Sequence, residues 1–510
     1  MKKKFLAFAL AALILPCTLT SCGDSVENAG EAFKLLSVDD LKAKSSEAAP
    51  IKVEFWHSFG HNITKHLNPL IETFESNMAA EEIYIDVITK QIGGGYDGLR
   101  SRVNQGTKSN SIPTLILGYP DHFADYIGSD ILLPLDGFVN AGDKENIGFT
   151  EDEIQNDFVK TYWSENQLIG KDGQTITAGI PFNKSTEVMY YNASAVDPIL
   201  EQNGWLIDGQ WANPTWEQVW TVSQILKDKS LSNTLSWVHN GATYNVSIRT
   251  PSKFYPVYID SKANFFITTA RQWAQDSEAA SHVYTKVDST GKGIVCFNND
   301  VAKTAQAYFL EKATSGLWNV PDKVNQSYGS NLMVNNEAFI SIGSTAGVNN
   351  NDSSKYEMKV TRIPQKSYDN GVQAVIQQGT NAAILTKNSN NYTRLAAWLL
   401  IRYLTSTEVT AQFSMNTGYL PVRKSARETK DFSEFIADAN SIFGGATAQA
   451  IVAADAQSSY FYTDPAFSGS SIVRDTVDTM VQTIYCQNKA VDAAIETAYT
   501  ELRGFGLTCE

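Results

Sequence analysis

The hydrophobic pattern of the chain switches between strand spacing and helix spacing from residue 51 onward. Apolar residues occupy every second position over 51–55 and 83–87, recur at helical intervals over 67–74 and 99–104, and form a short continuous run over 114–117. This order predicts β-α-β-α-β. Such alternation is typical of an α/β fold with a mostly parallel sheet, helices on its faces and ligand sites at the carboxyl ends of its strands.

The same kind of pattern continues through the rest of the chain. Helices are predicted over residues 216–227, 301–314, 395–404 and 473–485, and strands over residues 188–191, 338–342 and 382–385. No apolar run after the N-terminal segment is long enough to span a bilayer. The chain beyond residue 50 is therefore expected to be an α/β body without a membrane-spanning helix.

The N-terminal segment has the pattern of an export signal. Lysines at positions 2, 3 and 4 precede an apolar stretch over residues 5–15, which is too short for an ordinary membrane-spanning helix. The tetrapeptide Leu-Thr-Ser-Cys that ends at Cys22 resembles the lipobox of bacterial lipoproteins, in which the cysteine thiol takes a diacylglycerol. This predicts a signal peptide over residues 1–21, lipidation of Cys22 and a linker over residues 22–50. An ordinary signal peptide with an incidental cysteine is the alternative.

The charge balance limits the classes of partner that the protein is expected to bind. The 510 residues include 41 Lys and Arg against 55 Asp and Glu, a formal net charge of −14, and the basic residues do not cluster strongly after residue 4. Nucleic-acid binding needs a basic surface, so no nucleic-acid partner is expected. After export and acylation of Cys22, the remaining cysteines are Cys296, Cys486 and Cys509. Because their number is odd, at least one thiol should be free, and a disulfide between Cys486 and Cys509 stays open.

The common catalytic motifs are missing. The chain has no P-loop, no His-Glu-x-x-His, no Cys-x-x-Cys and no Gly-x-Ser-x-Gly. Residues 93–98 match Gly-x-Gly-x-x-Gly, but Tyr96 would crowd the turn that pyrophosphate approaches in a dinucleotide site. His57, His61 and His66 lack the arrangement of a zinc site and are interpreted as surface histidines. No catalytic residue, cofactor or metal is therefore expected.

Five segments, taken in order, carry a family resemblance. They are Phe55–Phe59, Gly95–Asp97, Pro113–Tyr119, Ile180–Thr186 running on to Tyr190–Asn192, and Thr417–Pro421. With them the chain resembles the bacterial extracellular solute-binding proteins of family 1, the substrate receptors of ABC sugar importers, and most closely the glycerol-3-phosphate-binding branch. The resemblance covers the body of the chain end to end, although residues 205–330 align poorly.

The resemblance implies a two-lobed periplasmic-binding-protein fold of type II, whose lobes are joined by hinge strands and close on a ligand. Residues 180–186 and 378–385 are expected to be the crossing strands. The expected lobes are residues 51–182 with 329–379 for lobe one, and residues 183–328 with 380–510 for lobe two. The ligand should lie between them.

Carried over by position, the resemblance also implies a ligand site. Tyr96, Ser185, Gly379 and Tyr419 match positions that touch glycerol 3-phosphate in that branch, and Ser344 is placed with them. The chemistry of these residue types is suitable. Tyrosine offers an apolar face with a hydroxyl at its edge, serine donates to ligand oxygens, and glycine lets the backbone approach.

Two departures from the branch change the expected ligand. Asp121 stands one position after the branch's glutamate and is expected to accept hydrogen bonds from vicinal hydroxyls. The arginine that pairs with phosphate aligns with Phe467, which suits a sugar face or a quaternary ammonium. A sugar or oligosaccharide is therefore favoured, with glycerol 3-phosphate or a glycerophosphodiester such as glycerophosphocholine as the alternative. Trp56, Trp237 and Phe254 are further stacking candidates.

The expected function is solute capture without catalysis. The protein is expected to be a monomeric lipoprotein, held by its lipid on the periplasmic or cell-surface face of a bacterial membrane, which delivers a small polar solute to ABC permease subunits. Two other classes stay open. A secreted glycosidase would need paired carboxylates in a cleft and would show turnover, and a surface adhesin or sensory receptor would use the same fold for another partner.

Overall fold

A computed structural model describes residues 31–142, 147–439 and 445–510. The predicted signal peptide and Cys22 lie outside these residues. The helices are α1 Val38–Lys44, α2 His61–Ala80, α3 Gly95–Gly106, α4 Pro120–Gly128, α5 Asp136–Val139, α6 Lys160–Ser164, α7 Ala193–Gln202, α8 Trp216–Leu231, α9 Lys262–Trp273, α10 Ser277–Ser281, α11 Asp300–Thr314, α12 Gly329–Val334, α13 Val348–Asn351, α14 Asn391–Leu404, α15 Thr407–Thr417, α16 Lys424–Glu428, α17 Lys430–Ala439, α18 Ala446–Ala456, α19 Ser470–Gln487 and α20 Val491–Gly504.

The strands are β1 Ile51–His57, β2 Ile85–Gln91, β3 Leu115–Gly118, β4 Gln167–Ile169, β5 Thr175–Thr177, β6 Ile180–Asn192, β7 Leu206–Ile207, β8 Gln210–Trp211, β9 Ser236–His239, β10 Ala242–Asn245, β11 Val257–Ile259, β12 Thr285–Val287, β13 Gly293–Val295, β14 Trp318–Asn319, β15 Ile340–Ser344, β16 Met358–Thr361, β17 Val375–Ile384, β18 Phe461–Tyr462 and β19 Thr508–Cys509. Ten of them form one sheet, with β14-β11-β15-β6-β17-β3-β1-β2 as its main path.

Strands β6 and β17 connect the two halves of this sheet. They pair antiparallel between residues 180–186 and 377–382, with a bulge between Thr380 and Asn381. Beyond the shared stretch, β17 continues onto β3, which pairs with β1, whereas β6 continues onto β15 and β16. The two lobes are thus carried on one continuous sheet, and the predicted α/β two-lobed fold is confirmed, with both crossing strands where they were expected.

The hydrophobic cores divide the chain differently from the expected lobe boundaries. Lobe one is built on residues 36–182 and 382–432, and lobe two on residues 188–375 and 467–502. Helix α18 packs against both cores. The expected assignment of residues 329–379 to lobe one and of the whole stretch from 380 onward to lobe two is therefore wrong, because a chain that enters lobe two along β6 returns only along the antiparallel β17.

The segment before β1 is packed rather than free. Leu41 in α1 is fully buried and Leu36 nearly so, both in the core of lobe one, and the ring of Phe33 meets Phe138 edge-on at 4.9 Å. The Arg394 guanidinium donates to the backbone carbonyl of Glu31 at 2.9 Å. The described part of the expected linker, residues 31–50, is thus part of lobe one, since its few apolar side chains are enough to dock it.

Several elements are longer than their hydrophobic pattern predicts. Helix α2 begins at His61 rather than near residue 67, because Gly60 supplies the extended residue at its start and its first turn is polar. All thirteen residues of β6 are buried, so the hydrophobic pattern predicted a strand only over residues 188–191, and residues 180–186 were expected as a crossing strand from the family resemblance alone. The three described cysteines are free thiols, so no Cys486–Cys509 disulfide is present, and Cys509 lies opposite Val295 in the β13–β19 pair. Within the described residues, no helix has the length and apolar character needed to cross a bilayer.

Replacing Gly379 with alanine should destabilise the crossing between the lobes. Gly379 has φ +95°, and a Cβ there would lie 2.1 Å from the Asn183 carbonyl oxygen. We expect Gly379→Ala to lower the free energy of unfolding by at least about 2 kcal/mol, measured by urea denaturation. Gly60→Ala is the matched control, because Gly60 has φ −75° and open space around it. Equal stabilities of the two variants would contradict a strained crossing.

Candidate functional site

A cavity of about 350 Å³ lies between the lobes, over the β6–β17 crossing. Residues of both lobes line it. Those from lobe one include Tyr96, Tyr119 and Tyr419; those from the crossing strands are Asn183, Ser185, Glu187, Gln378 and Gly379; those from lobe two include Asp260, Tyr328, Ser330, Ser344 and Asn351. This cavity lies between the lobes, where the ligand site was expected.

The floor of the cavity follows from strand geometry. Asn183, Ser185 and Glu187 occupy alternate positions of β6 and face the cavity together, whereas Lys184 and Thr186 point to the other face of the sheet. Lys184 pairs there with Glu165, and Thr186 donates to the Ile376 carbonyl at 2.6 Å. One face of β6 is thus available to a ligand while the other is fixed by internal bonds.

Three tyrosines form the wall contributed by lobe one. The rings of Tyr96 and Tyr119 meet edge-to-face at 5.1 Å, and the ring of Tyr419 stacks on Phe413 at 5.9 Å with only 3° between their planes. Asn183 donates to the Tyr96 hydroxyl at 3.3 Å. Burial raises the pKa of all three hydroxyls above the usual range, so they stay protonated and neutral. The wall can therefore stack on a ligand and also donate or accept a hydrogen bond.

Two carboxyl groups also line the cavity, that of Glu187 buried in the floor and that of Asp260 half-buried in lobe two. Glu187 accepts from the Asn264 amide at 3.1 Å, and Asp260 accepts from the Gly329 backbone N–H at 2.6 Å. Desolvation by burial raises the pKa of each to about 7, and the charge of Asp260 adds to the shift of Glu187. Both groups therefore change protonation near neutral pH.

A smaller chamber of about 80 Å³ continues from this cavity and shares Tyr119, Gln378 and Gly379 with it. Its charged lining is Asp121, Glu165, Asp464 and Arg474. The guanidinium of Arg474 donates to the side-chain oxygen of Asn264. Neighbouring Asp121 and Asp464 help to raise the pKa of Arg474, so it is a permanent cation between two carboxylates.

An outer groove of about 620 Å³ lies beyond the small chamber and shares Glu165 and residues 463–466 with it. Ile169 and Val287 line the groove, and both are more than 40% exposed. Phe467 also lines it, although its ring is almost fully buried against Gly293. The three spaces together form one cleft that runs along the boundary between the lobes.

The structure brings seven of the expected site residues to this cleft. Tyr96, Ser185, Ser344, Gly379 and Tyr419 line the main cavity, Asp121 lines the small chamber, and Phe467 lines the outer groove. The contacts of these residues with a ligand are predictions of the family resemblance.

The structure keeps the expected stacking tryptophans away from the cleft. Trp56 is buried in lobe one and donates to Glu54 at 2.9 Å, while Trp237 is buried in lobe two and donates to the Lys355 carbonyl at 2.9 Å. Phe254 is nearly buried and lines a separate small cavity. Phe467 reaches only the outer groove. Large aromatic side chains of this kind contribute most to stability when they are packed in a core, and these four side chains are packed in that way.

Sequence reasoning missed Arg474, Glu187 and Asp260. The run of five polar residues over 183–187 inside the expected crossing strand was the available signal for Glu187, because a strand places every second one of them on the same face. Arg474 lies one turn into α19, seven positions after Phe467, with which the branch's arginine aligns, so the alignment did not point to it. His57, interpreted as a surface residue, is buried and accepts from the Phe59 N–H at 3.2 Å. In the described part of the chain, no group of three or more His, Cys, Asp and Glu is arranged to hold a metal ion.

Contacts between the lobes close both rims of the cleft. On one rim, Arg100 of α3 pairs with Asp475 of α19 at 2.5 Å, and Asp125 of α4 accepts from the Gly469 N–H at 3.1 Å and the Ser471 hydroxyl at 2.7 Å. On the other rim, Asn62 donates to Asn350 at 3.2 Å. The structure therefore represents a closed arrangement of the lobes.

A family model described as bacterial extracellular solute-binding protein matches residues 70–441. The chain belongs to this family. The curated relatives include the sn-glycerol-3-phosphate-binding periplasmic protein UgpB of Escherichia coli, which is 23% identical over 397 residues, 76% of this chain and 77% of that protein. The family prediction is thus confirmed, and the protein is a solute-binding protein.

Solved structures share the fold of this solute-binding protein. UgpB from Mycobacterium tuberculosis in complex with glycerophosphocholine has a TM-score of 0.65 at 16% identity, with 89% of this chain and 97% of that chain covered. An ABC substrate-binding protein from Listeria monocytogenes in complex with cycloalternan also has a TM-score of 0.65, at 12% identity, with 90% and 100% covered. At these identities the likeness shows the fold alone.

The raised pKa values of Glu187 and Asp260 should make the ligand-free solute-binding protein more stable at mildly acidic pH. A carboxyl whose folded pKa is raised holds its proton more tightly when folded, so its contribution to stability falls as pH rises from about 4 to 7. Between pH 7.5 and 5.5, Glu187 and Asp260 should each add roughly 2 kcal/mol to the unfolding free energy. Urea denaturation of wild type and of the Glu187→Gln/Asp260→Asn double variant measures this gain. A gain of the same size in both proteins would show that these groups titrate normally.

Loss of the Asp125 contacts should weaken closure of the lobes. Asp125→Ala removes both acceptors for the start of α19, and hydrogen bonds to a charged group contribute roughly 1 kcal/mol or more. We expect the variant to release a bound solute about three- to tenfold faster than wild type, measured by stopped-flow fluorescence. Asp492→Ala is the control, because Asp492 is exposed and its ion pair with Lys303 lies within lobe two. Unchanged release from the Asp125 variant would mean that this rim does not hold the closed state.

Proposed function

We propose that the protein is the substrate-binding lipoprotein of an ABC importer and that it captures a sugar or oligosaccharide in the cleft without chemical change. The observation that carries this proposal is the composition of the main cavity. Its lining combines three tyrosine rings with serine, asparagine and glutamine side chains and two carboxyl groups. Aromatic faces suit the C–H faces of a sugar, and a ring of acceptors and donors suits its hydroxyls.

The charges of the cleft oppose a phosphate dianion. Five carboxyl groups line the main cavity and the small chamber, and Arg474 is the lining cation in the described part of these two spaces. Arg474 already faces Asp121 and Asp464, so phosphate would have to displace carboxylates from its surroundings. The geometry therefore favours a sugar over glycerol 3-phosphate. A glycerophosphodiester remains the second candidate, because its single negative charge could still meet Arg474.

The length of the cleft supports an oligosaccharide. The main cavity, the small chamber and the outer groove share lining residues at each junction, so a chain of sugar units could pass from one to the next. The exposed Ile169 and Val287 give the outer groove an apolar surface on which further units could rest. A single sugar would fill only the main cavity.

The transport role and the anchor rest on the family and on the N-terminal sequence. Lipidation of Cys22 would hold the monomer on the periplasmic or cell-surface face of the membrane, where it would meet ABC permease subunits. Docking of residues 31–44 on lobe one supports this arrangement, because the lipid would then lie close to a fixed part of the body. An adhesin would bind a protein, a sensory receptor would signal a kinase, and a glycosidase would release products.

A thermal-shift screen tests the proposed ligand class. The mature chain with Cys22→Ser is mixed with neutral mono- and oligosaccharides, glycerol 3-phosphate and glycerophosphocholine, since a ligand that binds only the folded state raises the melting temperature. We expect a rise with at least one sugar and no product release on chromatography. A rise with phosphate-bearing ligands alone would move the assignment to the second candidate, and no rise with any compound would favour an adhesin or sensor.

Removal of the Ser185 hydroxyl should weaken solute binding without unfolding the protein. Ser185 is 3% exposed and lines the main cavity, and its hydroxyl has no hydrogen-bond partner among the described residues. Ser185→Ala should lower affinity for the sugar found in the screen by about three- to tenfold, measured by calorimetry. Ser230→Ala is a matched control, because Ser230 is fully buried in lobe two outside the cleft and its hydroxyl is also unpartnered. Equal affinities of the two variants would place the solute elsewhere.

A further inference from the structure

Glu187 and Asp260 differ from the other carboxyl groups of the cleft. Glu165 pairs with Lys184, Asp464 pairs with Arg271 at 3.2 Å, and Asp121 faces Arg474. In the described part of the chain, no lysine, arginine or histidine nitrogen lies within 4.0 Å of Glu187 or Asp260. Arg474 is joined to Glu187 through Asn264, and its charge lowers the pKa of Glu187 without offsetting the larger effect of burial. Among the described residues, the main cavity thus carries two carboxyl groups without a directly paired cation.

We propose that the solute carries a protonated primary amine on a polyhydroxylated scaffold, as an amino sugar does, and that Glu187 and Asp260 bind this amine. The inference rests on the proposed function and names the class of sugar. The amine would supply the cation that the main cavity lacks, at the place where the two carboxyl groups face the open space.

Free acceptor atoms at the cavity surface point to a donor with several hydrogens. Glu187 is 2% exposed, and only its Oε1 accepts a hydrogen bond, while Asp260 uses only its Oδ1. The Ser185 hydroxyl, two positions before Glu187 on the same face of β6, is also unpartnered. A primary ammonium donates three hydrogen bonds, whereas a quaternary ammonium donates none. The arrangement therefore suits a primary amine better than a choline group.

Closure of the lobes makes the missing cation more costly. A neutral sugar that filled the cavity would exclude water from two carboxylates and leave their charges uncompensated. Protonation could relieve this cost, since burial holds the pKa of both groups near 7. An ammonium offsets the same charges directly and does so at pH values where both groups are ionised.

Matched sugars that differ at one substituent test this inference. The mature chain with Cys22→Ser is titrated calorimetrically at pH 7.5. The disaccharide set is chitobiose, diacetylchitobiose and cellobiose, which carry amine, acetamido and hydroxyl groups respectively. The monosaccharide set pairs glucosamine, galactosamine and mannosamine with glucose, galactose and mannose. We expect at least one amine to bind tenfold or more tightly than its hydroxyl and acetamido counterparts. The preference should shrink at pH 5.5, because protonated carboxyl groups attract the amine less.

Variants then assign the preference to the two carboxyl groups. Glu187→Gln and, separately, Asp260→Asn should each reduce the ratio of amine to neutral affinity at least fivefold. Glu201→Gln, an exposed position on α7, should leave the ratio as in wild type. Neutral sugars that bind as tightly as their amine counterparts would overturn the inference while the sugar-receptor function stands. Binding of glycerophosphocholine or another non-amine ligand alone would also overturn it, and the absence of binding by every compound would overturn the proposed function as well.

Discussion

The antiparallel pairing of β6 and β17 is the constraint on which the rest of the structure depends. The chain makes its first two passages between the lobes along these strands, which therefore have to stay in register. The pairing also sets the floor of the main cavity, since Ser185 lies opposite Gln378 and Lys184 opposite Gly379. Gly379 is required there because the Asn183 carbonyl leaves no room for a side chain. Fold and ligand site are therefore specified by the same few residues.

The two faces of β6 have different roles at this crossing. On the face away from the cavity, Glu165 accepts from Lys184, from Gln377 at 2.6 Å and from Asn381 at 2.9 Å. Burial lowers the pKa of Lys184, and the neighbouring Glu165 opposes this shift, while the Lys184 ammonium also donates to the Gly379 carbonyl at 2.8 Å. All three donors of this network have partners within the protein, although the Oε1 atom of Gln377 has none, and on the cavity face one carboxylate oxygen of Glu187 is a spare acceptor. A polar group without a partner inside a protein is costly, so spare acceptors on a buried strand indicate a ligand.

The sequence predicted the architecture more fully than the chemistry of the site. Alternating patterns located β1, α2, β2, α3 and β3, and motif resemblance identified the crossing strands, because both signals are local. The lobe boundaries were wrong since they depend on which core residues 329–379 join, and a hydrophobic pattern does not reveal that choice. Trp56 and Trp237 were proposed for stacking because residue type alone does not distinguish a core tryptophan from one in a cleft. Arg474 lies in α19, and Asp260 directly follows β11. These residues are far apart in the sequence, and only the folded chain brings them near the tyrosines.

The continuity of the sheet has a consequence for how heat unfolds the protein. All of β6 is buried, and its two halves belong to different lobes, so neither lobe can lose its sheet without exposing part of the other. After β17 the chain passes from lobe one towards lobe two once more, through α18, which packs against both cores. Two lobes of this kind should melt as one cooperative unit, with a single heat-absorption peak and a calorimetric enthalpy equal to the van't Hoff enthalpy.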